Sequence, residues 1–338
     1  MNRSVYIIAE AGVNHNGDLE IAKKLVETAK QVGANAIKFQ TFKAEQIVTK
    51  NSPKAKYQLA VTDRDESQYD MLKKLELNSN VYEEIIELCK VNEIDFLSTP
   101  YNIEDIEFLE KFNVSSYKVA SGQLTELPFL RYLARKNKRM YISTGMATLA
   151  DVFLAVEAIR DEGNNDIVVL QCTTNYPSRI EDANILAMNS IKEACNVSVG
   201  YSDHVPSNYA CYTAVALGAE VIEKHFTLDK SMEGPDHSSS LDPEGFRELI
   251  EGIRNIELAL GSKVKRPSKI ELENSKEMKR GMVVLEDLAK GTVLKESHIG
   301  FKRPLRGVPI NMLPDIIGKE TLIDLKADDN IGFDAIKW

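Results

Sequence analysis

The 338-residue chain has one tryptophan, four cysteines and no C-x-x-C pair, which excludes a zinc knuckle and a dithiol redox motif. Cys89, Cys172, Cys195 and Cys211 are therefore expected as reduced core residues. No long hydrophobic run is present. The most apolar stretch, residues 209–219, falls well short of the roughly 18 residues that a bilayer-spanning helix needs. Met1-Asn2-Arg3 leads straight into Val5-Tyr6-Ile7-Ile8-Ala9, with neither a signal-type apolar segment nor a small-residue cleavage site. A cytoplasmic location without membrane contact is expected. Low-complexity blocks are absent and 43% of residues are hydrophobic, which excludes disorder. Positive charge is the minority, 42 Lys+Arg against 51 Asp+Glu for a net charge of −9. That balance argues against a general nucleic-acid-binding surface and leaves room for a local basic pocket that takes a small anion.

What is present is regular. Short β-branched runs fall at residues 5–10, 34–40, 94–99, 116–121, 140–144, 167–172, 197–202 and 220–225. Amphipathic stretches separate them, such as 19–32, 151–161 and 206–217, with Leu19, Ala22, Leu25, Val26 and Ala29 at helical spacing in the first. Eight strand–helix units in about 260 residues predict a (β/α)₈ TIM barrel over residues 1–261, with a doubly wound open sheet as the alternative. The connection over residues 41–79 is too long for an ordinary βα loop. Its Lys50, Lys54 and Lys56 read either as part of a mobile lid or as a solvated excursion. A last helix over 242–260 ends at Gly261. Residues 262–279 are charged and read as a linker, and 280–338 turn to short apolar segments broken by Gly and Pro. So short a domain buries little core alone and is expected to lean on the barrel or on another subunit.

Barrel chemistry sits at the C-terminal strand ends, and these ends are polar. Glu10, Lys38 and Gln40, Ser98-Thr99, Lys118 and Ser121-Gly122, Ser143-Thr144-Gly145, Thr173-Thr174-Asn175-Tyr176, Ser202-Asp203-His204 and Glu223-Lys224-His225 close the eight strands in turn. Two lysines with Thr99, Ser121 and Ser143 on one face suit a phosphate or carboxylate. The alternative is that Lys38 and Lys118 only pair internally with Glu10 or Glu223. Among the polar-loop histidines His15, His204, His225 and His237, the pair His204 and His225 ends consecutive strands, as suits a divalent metal with open positions. The run from Gly12 to Gly17 has phosphate-loop spacing, but Asp18-Leu19 follows where Lys-Ser/Thr is required, so the nucleotide reading fails. Asp18 reads instead as a helix N-cap.

The runs IAEAGVNHNGD, IKFQTFKA, LSTPY, YKVASG, ISTGMAT, GYSDH, EKHFTLDK, GPDHSSSLDP and FKRP span nearly the whole chain and closely resemble the sialic acid synthase family. The resemblance implies a (β/α)₈ barrel followed by a small antifreeze-like (SAF) domain, in a homodimer with the C-terminal domains exchanged. It implies condensation of phosphoenolpyruvate with an N-acylated amino sugar to a nine-carbon 2-keto acid and phosphate, with Mn²⁺ or Mg²⁺ at His204 and His225. Lys38, Lys118, Thr99, Ser121, Ser143 and Ser202 would bind phosphoenolpyruvate, with Thr174 near its phosphate. Glu10, Gln40, Tyr176 and Asp236 would line the amino-sugar pocket, with Glu223 close to the metal and Arg303 of the partner on the sugar's acyl group.

Two departures bear on the acceptor. Ser121-Gly122-Gln123 replaces the family's S-G-E, and an amide cannot do acid–base work, so Gln123 is expected to hold substrate. Lys302-Arg303-Pro304-Leu305-Arg306-Gly307 is bulkier than the usual K-R-P-G-N-G. The resemblance implies N-acetylmannosamine or a 2,4-diacetamido-trideoxyhexose as the acceptor, with the GPDH run arguing mildly against the pseudaminic branch. A metal-dependent pyruvate aldolase and a non-catalytic sugar-binding homologue are the competing readings.

Overall fold

Eight strands, β1 (Tyr6–Gly12), β2 (Ala36–Thr41), β3 (Asp95–Pro100), β4 (Ser116–Val119), β5 (Arg139–Ser143), β6 (Ile167–Cys172), β7 (Ser198–Asp203) and β8 (Val221–His225), pair in parallel in the order β3-β2-β1-β8-β7-β6-β5-β4. Every neighbour but one pair is sequential, and β3 and β4 lie side by side at the seam. An open doubly wound sheet would reverse its strand order at a switch point; here the strands run round a (β/α)₈ barrel. The computed structural model describes residues 4–338 apart from 56, 57 and 64. Met1, Asn2, Arg3 and Lys56 therefore lie outside the described residues.

Alternation along each strand explains both the core and the site. Successive side chains point to opposite faces, so Ile7, Ala9, Ile37 and Phe39 pack outward against the helices, while Ile8, Ala36, Leu97, Val168 and Val221 fill the barrel interior. Two residues further along, the same inward positions turn polar: Ile8 leads to Glu10, Ala36 to Lys38, Leu97 to Thr99 and Val221 to Glu223. The barrel is thus oily at its N-terminal end and charged at its C-terminal end. β4 stops at Val119, short of the expected 121, because Ser121–Gln123 turns into a single 3₁₀ turn.

The helices follow the sequence signals. Asp18 Oδ1 accepts from the Ile21 amide and starts Leu19–Val32, which Gly33 ends at φ 96°. Asp242 caps Pro243–Leu260 by accepting from the Gly245 amide. The long β2–β3 connection is structured and is not a solvated excursion. It carries short helices at Ala44–Ile47, Gln58–Val61 and Gln68–Lys74 before Tyr82–Val91. Lys54 is buried there, donating to Thr62 Oγ1, the Asp63 carbonyl and Glu66 Oε2 at 2.7–3.1 Å. An ammonium with three acceptors pins the connection from within.

Two compact units result, Met1–Gly261 and Ser262–Trp338. The second contains a helix, Lys269–Met278, with a Ser268–Glu271 capping box and no buried residue, inside the segment read as a linker. An antiparallel pair follows, β9 (Gly281–Val284) with β10 (Ile299–Lys302). This unit has a core of its own, including Met282, Val284, Leu294, Val308, Ile316 and Ile331. Gly307 is required at φ 75°, since a Cβ there would stand 2.2 Å from the Ile331 carbonyl oxygen. Among the described residues no helix is long and apolar enough to cross a membrane.

Candidate active site

The C-terminal ends of the barrel strands enclose a cavity of about 490 Å³. Glu10, Lys38, Gln40, Thr99, Lys118, Ser121, Gln123, Ser143, Thr174, Tyr176, Ser202, His204, Glu223, His225 and Asp236 all line it. Arg303 is not among them: it is exposed on the second unit, directly after β10. The cavity also has a wall that sequence reasoning missed, formed by Gln58, Gln68, Met71 and Leu72 of the β2–β3 connection with Tyr101 and Cys172. Short helical turns without a long period gave no signal for the first four. Cys172 is free and buried, as are the other three cysteines, yet its sulfur faces a functional cavity.

The floor is a buried charge cluster. Lys38 Nζ lies 2.6 Å from Glu10 Oε2 and 3.9 Å from Glu223 Oε2, and donates to Thr99 Oγ1 at 3.2 Å. Lys118 Nζ lies 3.5 Å from Glu223 Oε1, which also accepts from Ser202 Oγ at 2.8 Å. The lysines pair internally with Glu10 and Glu223, as one reading of the sequence has it, and both also line the cavity. Burial lifts the Glu10 carboxyl to about 7 against the pull of Lys38. At Glu223 burial works the same way, but Lys118 and then Lys38 outweigh it and hold the group at about 2. Burial opposes both ammonium groups; Glu10 and Glu223 nonetheless keep Lys38 above its usual range, whereas Lys118 falls below it. One carboxylate is fixed as an anion, and the other is poised to exchange a proton near neutrality.

Beside this floor several buried polar atoms find no hydrogen-bond partner among the described residues: Ser143 Oγ, Thr174 Oγ1, Glu223 Oε2 and His225 Nδ1. Unsatisfied groups of this kind are costly and rare in folded proteins. Gly145 lets the walls close round them. Its amide donates to Ser121 Oγ at 3.0 Å, and a Cβ there would stand 2.0 Å from Thr174 Oγ1.

The imidazoles of His204 and His225 have ring centroids 5.2 Å apart, and the Tyr176 ring lies 4.1 Å from the first and 5.6 Å from the second. His204 Nδ1 is 2.7 Å from the Thr173 carbonyl, which fixes the ring and leaves Nε2 for a ligand. Burial works against charge on both rings. At His204 the neighbouring Cys172 outweighs it and the pKa rises, while burial and then His204 push His225 well below the usual range. Two imidazoles with an unpartnered nitrogen suit a divalent ion whose other positions go to substrate and water. Among the described residues no group of three or more His, Cys, Asp or Glu side chains is arranged to hold one.

Asp236, on the loop after β8, is buried, and burial raises its carboxyl to about 6. Its loop is tied to the β1 loop by Asn14, which donates to the Phe226 carbonyl and Ser240 Oγ, while Ser240 Oγ donates to the Asp236 carbonyl. His15 and His237 belong to the same fastening. His15 Nδ1 accepts from the Gly17 amide, and His237 Nδ1 lies 2.7 Å from Thr227 Oγ1. Gln123 differs from expectation. It lines the cavity, but its amide is engaged by backbone: Nε2 donates to the Pro100 and Tyr101 carbonyls at 3.1 Å, and Oε1 accepts from the Ala120 amide at 3.3 Å.

Comparison with known proteins agrees with this geometry. The NeuB family model matches residues 25–265 and the SAF domain model residues 279–337. The chain is 42% identical over 331 residues to N,N'-diacetyllegionaminic acid synthase of Campylobacter jejuni, covering 97% of this chain and 99% of that one. It is 40% identical over 336 residues to the protein of the same name from Legionella pneumophila, covering 98% and 94%. A crystal structure of N-acetylneuraminic acid (sialic acid) synthetase from Leptospira borgpetersenii in complex with citrate superposes with a TM-score of 0.73 at 30% identity, covering 81% of this chain and 90% of that one. The chain therefore belongs to the NeuB family of sialic-type acid synthases, transferases that condense phosphoenolpyruvate with an amino-sugar acceptor.

Proposed function

We propose that the acceptor is a 2,4-diacetamido-trideoxyhexose rather than N-acetylmannosamine, so that the product is a legionaminic-type nonulosonic acid. Support comes from two relatives, 42% and 40% identical, whose names specify the N,N'-diacetyl product. The observation that carries the site assignment is the set of unpartnered buried groups. Ser143 Oγ and Thr174 Oγ1 lack partners in a cavity that Lys38 and Lys118 also line, and the same cavity holds Glu10, Gln40 and Asp236. A doubly anionic substrate answers the first group, and a neutral polyol with amide substituents answers the second.

In this reading phosphoenolpyruvate lies with its carboxylate and phosphate among Lys38, Lys118, Thr99, Ser121, Ser143, Thr174 and Ser202. Its C3 attacks the acceptor's aldehyde carbon and forms the new C–C bond. Water adds to C2, and the C2–O bond to the phosphate group then breaks, the C2 hydroxyl giving its proton to the leaving phosphate as the carbonyl forms. The aldehyde oxygen gains a proton and the attacking water loses one. Glu10, poised near neutrality beside Lys38, is suited to hold or return that proton. Glu223 stays ionised and keeps both lysines in place. His204 and His225 would hold the divalent ion, manganese or magnesium, which when bound supplies Lewis acidity to the aldehyde. Gln40, Tyr176 and Asp236 orient the sugar.

The same reading includes a homodimer in which the C-terminal units are exchanged and Arg303 of one chain holds the acceptor's acyl carbonyl in the other. The exposed Arg303 and the match to the SAF domain model support it. The function is tested by phosphate release from phosphoenolpyruvate across a panel of N-acyl hexosamines, with and without manganese. Release with the diacetamido sugar alone is expected. Release with N-acetylmannosamine alone overturns the acceptor, and a nine-carbon product formed from pyruvate without phosphate makes the enzyme an aldolase.

A further inference from the structure

We infer that Gln123 is a positioning residue: its amide clasps the turn after β3 and, through Tyr101, sets the orientation of Gln40 and the environment of Glu10 at the acceptor end of the cavity. The three contacts of Gln123 fix which end of the amide is which. Two carbonyl oxygens, those of Pro100 and Tyr101, face one terminal atom, so that atom is the NH₂; the Ala120 N–H faces the other, so that atom is the oxygen. Both donor hydrogens are therefore spent on the backbone of the β3 turn. The residue is 3% exposed, so no water replaces a lost partner cheaply.

Tyr101 carries the effect onward. Its amide is held a second time by Asp105 Oδ2 at 3.2 Å, and its ring packs edge-on against Phe42. Its hydroxyl donates to Gln40 Oε1 at 3.2 Å. That contact points the Gln40 oxygen at Tyr101 and the Gln40 NH₂ at Glu10, where Nε2 donates to Oε1 at 3.3 Å. Glu10 in turn pairs with Lys38. Gln123, Tyr101, Gln40 and Glu10 form one continuous hydrogen-bonded line from the β3 turn to the charged floor.

The consequence concerns the amide. A carboxylate of the same shape at position 123 would set its oxygen against two carbonyl oxygens, removing two donors and adding repulsion in a buried place. Glutamine here is then a two-donor clasp for the acceptor pocket, which a glutamate in this local structure would open. The inference rests on the acceptor site proposed above.

The test compares Gln123→Glu, Tyr101→Phe and the double variant by steady-state kinetics with the diacetamido sugar, together with thermal unfolding. Tyr101→Phe should raise the acceptor KM by about tenfold, the loss expected for one broken buried hydrogen bond, and Gln123→Glu, which loses two and adds repulsion, by at least as much. KM for phosphoenolpyruvate should stay near wild type, and the double variant should be no worse than the more severe single one, as for two members of one line. Unchanged acceptor KM in Tyr101→Phe overturns the inference, as does wild-type or faster turnover in Gln123→Glu, or plain additivity. Tyr101→Phe keeps the test open where Gln123→Glu fails to fold. If the wild type releases phosphate with none of the sugars, the acceptor assignment fails instead. The line is then read in a crystal structure of Tyr101→Phe, where Gln40 should turn away from Glu10 and an unmoved Gln40 refutes it.

Discussion

A single methyl group added at Gly145 would stand 2.0 Å from Thr174 Oγ1 and 2.8 Å from Ser121 Oγ. The β5 turn must therefore lack a side chain for the two hydroxyls to approach. Gly145→Ala should displace both and raise KM for phosphoenolpyruvate roughly ten- to a hundredfold, the range that a local overpacking of 1–3 kcal/mol produces. The acceptor KM should change little, and steady-state kinetics at saturating sugar will show it; an unaffected phosphoenolpyruvate KM sinks the assignment. His204 and His225 offer a second check at this scale. Replacing either by alanine should abolish condensation and weaken manganese binding by calorimetry while leaving the unfolding temperature within a few degrees. Survival of both affinity and turnover in both variants would show that the ion is held elsewhere.

Elements matter because neighbouring strands carry the two rings proposed to hold the metal. Asp203 ends β7 and Lys224 lies on β8, and their buried pair joins the residues that immediately precede His204 and His225. Lys224 Nζ donates to Asp203 Oδ2 and to the Val205 and Ser207 carbonyls, while Asp203 Oδ1 accepts from Tyr201 and the Val205 amide. Removing one partner leaves the other charged and buried, so Lys224→Met should cost about 3–5 kcal/mol in urea unfolding. A cost under about 1 kcal/mol would mean that the pair is not the fastening between these strands. The β1 loop gives a pH test. Burial, then repulsion by His237, lowers His15 from its usual range to about 4. The unfolded chain therefore binds the extra proton first, and stability should fall progressively as pH drops from about 6.5 towards 4. His15→Gln should be less stable than wild type at pH 8 but show a flatter slope across that window; an identical slope removes His15 as the cause.

The same elements explain how far the sequence could be read. Strands buried on both faces announce themselves as short β-branched runs, and their polar C-terminal ends, from Glu10 to His225, are visible as breaks in that apolarity. All the barrel residues proposed from these ends line one cavity. The wall built from Gln58, Gln68, Met71 and Leu72 was not legible, because turns of four to seven residues show no helical period. Lys54 was misread for a related reason: lysines are seldom buried, and nothing local reveals the three acceptors that enclose it. Gln123 was legible as a departure from its family, but its partners are backbone carbonyls some twenty residues earlier in the chain, which no motif records.

For the whole molecule the decisive matter is whether one chain suffices for one site. The barrel cavity is lined by fifteen of the side chains singled out in the sequence, but the one arginine that the family resemblance assigns to the acceptor, Arg303, belongs to the other compact unit. That unit has its own core, so it can hold its shape while docked on another chain. It also leaves Phe301, Leu305, Phe333 and Trp338 exposed. A planar guanidinium fixes a carbonyl in direction as well as by charge, so Arg303→Ala should raise the acceptor KM far more than that for phosphoenolpyruvate, which the barrel lysines bind. Mixing a His204→Ala chain with an Arg303→Ala chain then decides between arrangements. If each site draws its barrel from one chain and its arginine from the other, a mixed dimer holds one intact site and one doubly damaged site. Random exchange of equal amounts makes about half of the dimers mixed, so activity should recover to about a quarter of the wild-type value. If each chain completes its own site, every site in the mixture carries one lesion, and activity stays at the level of the separate variants even where subunit exchange is demonstrated by differently tagged chains.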